Sequence, residues 1–366
     1  MFAVAAPGLE SALKAEAEAL GLAPRRVEGG VELEGPSGLH QEANLRLRTA
    51  TRVLLRLGSF RAPDVGTLTR GLAAVELKGV WNGKETPQLS VTAQGARVPG
   101  NAVPQAAARA WGLSSVGQAG SLDEEGTQGL TLLIRLEGTE CTVSADTSGE
   151  PLFRRGYRQE VGRAPLRETL ASGILELAGY DGAEPLVDPM CGSGTFLIEG
   201  AWRSMRRAPG LERRFAFEHF PRFEPAAWEA RKARARSEAL AAPRVTLHGF
   251  DINAGALGTA RRNARRAGVT LALERRDVKV LEAPVTGPGL VVANPPYGKR
   301  VGEGGELPEL YRALGATLRK SFSGWRAALL VPEEEGLIRQ LELREARSLP
   351  MRNGGLRCRL LLAQLP

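Results

Sequence analysis

From residue 166 onward, helical hydrophobic periods alternate with short apolar runs. The helical pattern LRETLASGILELAGY precedes the run PLVDP, and the helical pattern TFLIEGAWRSMRR follows it. Later apolar runs are VTLHGFD, LALERRD, GLVVAN and RAALLVP, with helical patterns in ALGTARRNARRAG and LPELYRALGATLRKSF. Strands that alternate with helices predict a parallel, doubly wound α/β sheet. The last segment, ARSLPMRNGGLRCRLLLAQL, predicts two strands around Asn353-Gly354-Gly355, which would form an antiparallel pair at the sheet edge.

The pattern before residue 147 is less regular. MFAVAA, LESALKAEAEALG and RRVEGGVELEG predict a strand, a helix and a strand, which indicates a small α/β unit over residues 1–44. Residues 45–146 mix strand and helix patterns, with a strand in QLSVTAQ, a helix in VPQAAARAWG and a hairpin turning at Glu137-Gly138. Residues 147–165 carry Gly, Pro and several arginines without a period, and this composition predicts a linker. Residues 166–366 would then form the last domain.

Composition excludes several classes of protein. The chain of 366 residues is 43% hydrophobic, as expected for a globular protein with two or three domains. No segment approaches the ~18 apolar residues that a membrane-spanning helix needs, and the first residues lack the basic start of a signal peptide. Three scattered cysteines and three scattered histidines predict neither disulfides nor a metal site. We therefore expect a protein of the reducing cytoplasm.

Positive charge is concentrated in the second part of the chain. Residues 1–150 contain 14 Lys and Arg against 17 Asp and Glu, whereas residues 151–366 contain 35 against 24. The formal net charge of +8 therefore comes from the C-terminal part. A basic field of this kind favours a nucleic-acid partner, although basic proteins without one are common.

The ends of the predicted strands carry the candidate chemistry, because ligands bind at the carboxyl ends of parallel strands. The first strand runs into DPMCGSGT, residues 188–195, whose glycines allow a sharp turn and a close backbone approach. No Lys follows the last Gly, so the segment is not a P-loop, and Leu197 occupies the third glycine position of a dinucleotide fingerprint. The following strands end in Asp251 and Asp277, which could accept ribose hydroxyls and an adenine amine. Each aspartate alone is more often a helix cap, but together with the glycine loop they favour S-adenosylmethionine.

The fourth strand ends in Asn294-Pro295-Pro296-Tyr297. An exocyclic amine on a base is a poor nucleophile because its lone pair is delocalised into the ring. The Asn294 side-chain oxygen and the Pro295 carbonyl could each accept one amine N–H, and the prolines would fix both acceptors before the reaction. Tyr297 could offer a face on which a base pulled from its helix stacks. These features favour methyl transfer to an amine.

DPMCGSGT, GFDIN and NPPYGKR together resemble a class I S-adenosylmethionine-dependent amino-methyltransferase. DTSGEPLFRRGYR, APLRETLA and LVDPMCGSGTFLIEGAW, with the preceding ferredoxin-like and THUMP-like segments, are similar to the RlmL-type enzymes that make N2-methylguanosine in 23S ribosomal RNA. The resemblance implies a Rossmann-like methyltransferase domain at 166–366, a ferredoxin-like part at 1–44 and a THUMP RNA-binding domain at 45–146. It also implies protein-free or precursor 23S rRNA as the partner.

The resemblance implies roles for three sets of residues. The reacting base would contact Asn294, Pro295, Pro296 and Tyr297. The cofactor would contact Asp188, Met190, Cys191, Gly192, Gly194, Thr195, Asp251, Ile252, Asp277, Val278 and Asn294. RNA would contact Arg154, Arg155, Tyr157 and Arg158 in the linker, and Lys299 and Arg300 after the NPPY segment.

Several alternatives remain open at this level. DNA adenine-N6 and protein-glutamine methyltransferases also use NPPY, a related enzyme could act on tRNA, and a vestigial fold could bind RNA without catalysis. Cys191 could be a nucleophile, but an amine acceptor requires no covalent adduct. The basic insertion at 203–243 fits an RNA-facing element or a solvated helix pair over the cofactor. The acidic THUMP segment could hold a basic face of Arg46, Arg48, Arg52 and Arg56 at helical spacing, or these could lie on a solvated structural helix.

Overall fold

The computed structural model describes residues 1–120, 129–159, 166–297, 306–343 and 346–366, and places them in two β-sheets with surrounding helices. In the described part of the chain, no helix is both long enough and apolar enough to cross a bilayer. The same residues contain no group of three or more His, Cys, Asp and Glu side chains that could hold a metal ion.

The N-terminal sheet has eight strands in the order β2-β3-β1-β4-β8-β7-β5-β6. Its strands are β1 (Phe2–Ala5), β2 (Pro24–Val27), β3 (Gly30–Leu33), β4 (Ala50–Arg61), β5 (Gln88–Gln94), β6 (Gly117–Gln118), β7 (Thr131–Glu137) and β8 (Glu140–Asp146). Its helices are α1 (Glu10–Ala19), α2 (Leu39–Arg46), α3 (Val65–Ala74) and α4 (Val103–Trp111). The predicted helix over VPQAAARAWG and the hairpin of β7 and β8 are confirmed. The single strand expected in RRVEGGVELEG is instead a hairpin of β2 and β3, because Gly29 adopts a positive φ of 77° between them.

β4 joins the two N-terminal segments into one sheet. It pairs with β1 on one side and with β8 on the other, so hydrogen bonding continues across the proposed boundary between residues 44 and 45. Arg52 lies on this strand, buried and paired with Asp146, while Arg48 is also buried. The expectation of a helical face holding Arg46, Arg48, Arg52 and Arg56 is therefore wrong, because most of this segment is extended. The domain boundaries themselves stay a prediction.

The second sheet has seven strands in the order β11-β10-β9-β12-β13-β15-β14. Its strands are β9 (Leu186–Asp188), β10 (Leu247–Asp251), β11 (Ala272–Arg275), β12 (Leu290–Ala293), β13 (Arg326–Pro332), β14 (Arg347–Asn353) and β15 (Leu356–Gln364). Its helices are α5 (Glu168–Leu177), α6 (Thr195–Ser204), α7 (Pro225–Ser237), α8 (Ala254–Arg266), α9 (Glu306–Ser321) and α10 (Glu335–Gln340). The first five strands of the order are parallel, and β15 and β14 are antiparallel at the edge. This confirms the doubly wound sheet with an antiparallel edge pair.

The described part of the expected linker, residues 147–159, packs between the two sheets. Thr147, Ser148 and Leu152 are buried, and Leu152 belongs to a core that continues from α1 into α5. At that contact, an ideal Cβ on Gly173 of α5 would lie 2.6 Å from the side chain of Leu9. The N-terminal sheet and the second sheet are therefore joined by a shared hydrophobic core.

The basic insertion packs against the N-terminal sheet rather than over the strand ends. Phe215 and Phe217 stack with ring centroids 5.3 Å apart, and both rings contact Trp228 of α7 edge-on. Arg234 of α7 pairs with Glu42 of α2 at 3.1 Å. Phe215, Phe217 and Trp228 are buried core residues, so these rings do not form the RNA-stacking surface that the sequence left open.

Candidate active site

The glycine loop connects β9 to α6 and is held by neighbouring strands. Cys191 N–H donates to the Phe250 carbonyl at 2.8 Å, and Gly192 N–H donates to Asp251 Oδ2 at 2.9 Å. Gly192 and Gly194 have φ of 52° and 82°, which glycine adopts without strain. An ideal Cβ on Gly192 would meet no atom within 4 Å, so the backbone faces free space at the strand ends. Thr195, buried, begins α6.

Asp188 ends β9 beneath this loop. Its side chain is buried, and its Oδ1 accepts the N–H of Met190 at 3.1 Å. Burial raises the pKa of the Asp188 carboxyl well above its usual range, with a further contribution from repulsion by Asp251. A bound cation would favour loss of this proton and pair with the resulting carboxylate, so Asp188 is suited to hold a cationic group.

The next two strand ends carry the other predicted aspartates. Asp251 Oδ1 accepts the N–H of Asn253 at 2.8 Å, and Asp277 Oδ1 accepts the N–H of Lys279 at 2.9 Å. Both carboxylates therefore fix the turns that follow their strands. The Ile252 side chain is 62% exposed, which is unusual for so large an apolar residue. Val278 is buried in the hydrophobic core that also contains Tyr311 and Leu314 of α9. Ile252 offers an apolar surface beside Asp251 on which an adenine ring can lie.

Cys191 is turned away from the strand ends. An ideal Cβ on Gly249 would lie 3.2 Å from Cys191 Sγ, so the thiol packs against β10. Burial raises the pKa of this thiol, and repulsion by Asp188 and Asp251 adds to the effect. A buried neutral thiol is a poor nucleophile. The geometry supports the expectation that Cys191 forms no covalent adduct.

Asn294 follows β12, the strand on the other side of β9. Its Oδ1 is buried and has no hydrogen-bond partner among the described residues. The two prolines fix the turn, and the Pro296 carbonyl accepts the Tyr311 hydroxyl of α9 at 3.4 Å. A buried acceptor without a donor costs about 1–3 kcal/mol unless a ligand supplies one. Asn294 is thus an acceptor prepared for an N–H group that the described residues do not provide.

Tyr297 lies differently from the expectation. Its side chain is only 3% exposed, and its hydroxyl accepts the Asn353 Nδ2–H at 2.6 Å. The ring packs in the core beside β14 and β15. The predicted stacking face is therefore not available in this arrangement, because Asn353 and the hydrophobic core hold the ring.

The arginines expected to bind RNA from the linker are largely buried. Arg155 Nε lies 3.7 Å from Glu199 Oε1, and the Tyr157 hydroxyl donates to the same oxygen at 3.0 Å. The Arg158 guanidinium pairs with Glu168 Oε2 at 2.7 Å. These predicted contacts of Arg155, Tyr157 and Arg158 with RNA are corrected, since Arg155 and Tyr157 are buried and the Arg158 side chain is held by Glu168. Arg154 is exposed and pairs with Glu150 at 3.4 Å, and Lys299 and Arg300 lie outside the described residues.

Two residues that support the site were not predicted from the sequence. Asn353 was assigned only to a turn, and its bond to Tyr297 depends on a contact 56 residues away. Asn263 of α8 is fully buried and donates to the Ser193 carbonyl of the glycine loop at 3.1 Å. In the sequence, only the position of Asn263 on the apolar face of an arginine-rich helix indicated that it would be buried.

The four candidate side chains lie on adjacent strands. In the order β11-β10-β9-β12, the strand ends lead to Asp277, Asp251, Asp188 and Asn294. Neighbouring strands are ~4.8 Å apart, so this row extends about 14 Å along the sheet edge. An adenine, a ribose and an amino-acid tail can lie across it, with the reactive end toward Asn294.

Protein-family models match both parts of the chain. Residues 155–361 match the model described as "RMKL-like, methyltransferase domain", which is more than half of the sequence. Residues 1–54 match the model described as the RlmL ferredoxin-like domain.

Solved structures are similar over the whole length. The protein described as "SMU.472, a putative methyltransferase complexed with SAH" is 26% identical with a TM-score of 0.86, covering 100% of this chain and 97% of that one. A predicted N6-adenine-specific DNA methylase from Listeria monocytogenes is 26% identical with a TM-score of 0.87, covering 100% and 96%. TrmN from Thermus thermophilus is 22% identical with a TM-score of 0.68, covering 100% and 99%, and shares the fold.

Proposed function

The chain belongs to the RMKL-like methyltransferase domain family, and from this membership we propose that it methylates the exocyclic N2 amine of a guanosine in 23S ribosomal RNA. The coarser activity, methyl transfer that depends on S-adenosylmethionine, follows from the family match and from the SAH-bound neighbour. The proposal adds the acceptor amine and the RNA.

The residues at the strand ends fit this cofactor. We assign Asp251 to the ribose hydroxyls, Ile252 and Asp277 to the adenine, and Asp188 to the positively charged amino-acid end. The glycine loop allows the backbone to approach the cofactor, since Gly192 leaves free space where another residue would place a Cβ. When bound, the cofactor supplies an electrophilic methyl group.

The unpartnered Oδ1 of Asn294 is the observation that carries the proposal. By accepting an amine N–H, it draws electron density onto the nitrogen and orients the lone pair toward the methyl group. The oxygen is neutral and fixed by the turn, so it stabilises the developing positive charge on nitrogen with little reorganisation. Asn294 is not a strong base, and the surplus proton leaves after the transfer.

The choice of guanine rests on the second family match. An Asn-Pro-Pro-Tyr turn can accept hydrogen bonds from the exocyclic amine of adenine, cytosine or guanine, so the turn alone does not select one base. The match of residues 1–54 to the RlmL ferredoxin-like domain favours guanine N2 in 23S rRNA. The similarity to the predicted DNA methylase from Listeria makes adenine N6 in DNA the second candidate, and a guanine in tRNA is the third.

The product identifies the substrate. We would incubate the purified protein and labelled S-adenosylmethionine separately with protein-free 23S rRNA, tRNA and DNA, digest each, and analyse the nucleosides by mass spectrometry. Label in N2-methylguanosine from 23S rRNA is the expected result. Label in tRNA alone would move the assignment to a tRNA enzyme, and label in N6-methyladenine would refute the guanine proposal.

A further inference from the structure

The hairpin of β14 and β15 projects beside the acceptor end of the site. Ala293 pairs with Leu329, and Leu330 pairs with Leu360, so Asn294 is level with Leu360. Leu356, where the hairpin turns, is the first residue of β15 and precedes Leu360 by four residues, which places it ~13 Å beyond the level of Asn294 at ~3.3 Å per residue. Two strand spacings, about 10 Å, separate β12 from β15. The hairpin tip is therefore a wall next to the position of the reacting amine.

Two contacts fix this wall. At the tip, Asn353 donates to the Tyr297 hydroxyl, which joins the hairpin to the Asn294 turn. Midway along β14, an ideal Cβ on Gly8 would lie 2.6 Å from the Pro350 carbonyl oxygen, and Gly8 has a φ of +93°. The loop after β1 thus packs closely on β14. The hairpin is held by the Asn294 turn at its tip and by the loop after β1 at its middle.

The face of the hairpin opposite Tyr297 carries an unusual charge pair. Arg352 and Arg357 are directly paired across the two strands, and both are exposed. Within the described residues, neither forms an ion pair with an acidic side chain. Like charges placed directly opposite each other destabilise a sheet, so the arrangement favours a bound anion that relieves the repulsion.

Three acidic side chains lie on the segment that leads into α10. Glu333 pairs with Arg359 at 2.9 Å, and Glu335, the first residue of α10, pairs with Arg339 at 3.0 Å. Glu334, which precedes α10, forms no ion pair with Arg352 or Arg357, so the two guanidinium groups have no acidic partner among the described residues. Leu356, 49% exposed between them in sequence, adds an apolar surface at the turn.

We propose that Arg352 and Arg357 bind the RNA phosphates that flank the methylated nucleotide, so that the hairpin positions the base at Asn294. The inference rests on the proposed function for the identity of the nucleic acid. Two forked guanidinium groups on a fixed hairpin bind phosphate through charge-assisted hydrogen bonds. The pair lies on the face of the hairpin turned away from Tyr297, and the bond from the neighbouring Asn353 to Tyr297 connects it to the Asn294 turn. This connection gives the pair its positioning role.

The test compares Arg352→Gln/Arg357→Gln with Arg347→Gln. Arg347 is exposed on the same strand, five residues from Arg352 and toward the opposite end of the sheet, which makes it a matched control. Filter binding to protein-free 23S rRNA would be measured between about 50 and 200 mM salt, the range in which phosphate contacts weaken strongly. Cofactor affinity would be measured by calorimetry and stability by thermal unfolding.

We expect the double variant to bind RNA about tenfold more weakly, with a salt slope smaller by about 1.4 for two lost contacts to single-stranded RNA. Cofactor affinity should be unchanged and thermal stability equal or higher, because the repulsion is removed. A wild-type salt slope in the double variant, or an equal loss in Arg347→Gln, would overturn the inference. A loss confined to DNA of the same sequence would overturn the assignment to RNA.

RNA binding is measured here without methyl transfer, so the two proposals can fail separately. A wild-type protein that makes N2-methylguanosine while the double variant binds and reacts normally would refute the hairpin role only. The opposite outcome is also distinguishable. If the double variant loses RNA binding while the wild-type protein makes a nucleoside other than N2-methylguanosine, the hairpin role is supported and the guanine assignment is refuted.

Discussion

Replacing Asp188 with Asn should stabilise the fold and weaken cofactor binding. The carboxyl group is buried, accepts one N–H from Met190 and has a pKa raised well above its usual range by burial. The folded state therefore holds a proton on Asp188 at pH values where the unfolded state has released it. Stability from this group is complete below the unfolded pKa, near 4, and is lost as pH rises through the folded pKa.

The slope of this effect follows from proton linkage. Between the two pKa values, the wild-type protein loses up to about 1.4 kcal/mol of unfolding free energy per pH unit relative to Asp188→Asn. The variant should therefore be the more stable protein at neutral pH, and the difference should vanish toward pH ~4. Asp181→Asn is the matched control, because Asp181 also accepts the N–H two residues later but is exposed.

Urea unfolding at several pH values and calorimetric cofactor titration would measure both effects. We expect Asp188→Asn to bind S-adenosylmethionine at least about tenfold more weakly, a loss of ~1.4 kcal/mol, since the cofactor's positive charge loses its partner. Binding to the wild type should release a proton, seen as a dependence of the heat on the buffer. An Asp188→Asn protein that is less stable than the wild type at neutral pH, or that binds the cofactor normally, would refute the reasoning.

Three further results are expected. Cys191→Ser should keep nearly normal methyl transfer, and an inactive variant with normal cofactor affinity would revive a covalent mechanism. Asn353→Ala should lower the turnover number several-fold while leaving cofactor affinity unchanged, because it frees Tyr297 beside the Asn294 turn. Unchanged kinetics would show that this contact does not contribute to catalysis. Arg155→Met should lower the unfolding free energy by about 3–5 kcal/mol, since Glu199 loses its buried cation, and Arg155→Met/Glu199→Met should recover most of the loss. Urea unfolding that finds the double variant no more stable than Arg155→Met would contradict this.

Local pattern predicted the second sheet well because each strand end carries its own signal. Asp188, Asp251 and Asn294 each end a short, mainly apolar run, and Asp277 follows the strand pattern LALERR. The rule that ligands bind at carboxyl ends brings the four residues together without further information. The strand order itself follows the expected doubly wound form with an antiparallel edge.

The wrong predictions for the linker arginines and for residues 50–61 have a common cause, because both depend on contacts with residues distant in the sequence. The charge of Arg155 and Arg158 and the Gly- and Pro-rich segment around them predict exposed side chains. In the structure, Glu199 and Glu168 approach them from helices later in the chain. Residues 50–61 contain arginines at helical spacing, but pairing with β1 and β8 makes the segment a strand. Tertiary contacts override local preference at such positions, and sequence periodicity does not reveal them.

Methyl transfer by Asn294→Ala tests the central claim most directly. The variant removes the buried acceptor Oδ1, and Asn101→Ala, an exposed asparagine in the N-terminal region, is the matched control. Single-turnover transfer to 23S rRNA should fall by about 10²–10³ in Asn294→Ala, the usual effect of removing one preorganised electrostatic partner, while cofactor affinity changes little. Asn101→Ala should react like the wild type. Near-normal transfer by Asn294→Ala would contradict the assignment of Asn294 as the group that holds the reacting amine.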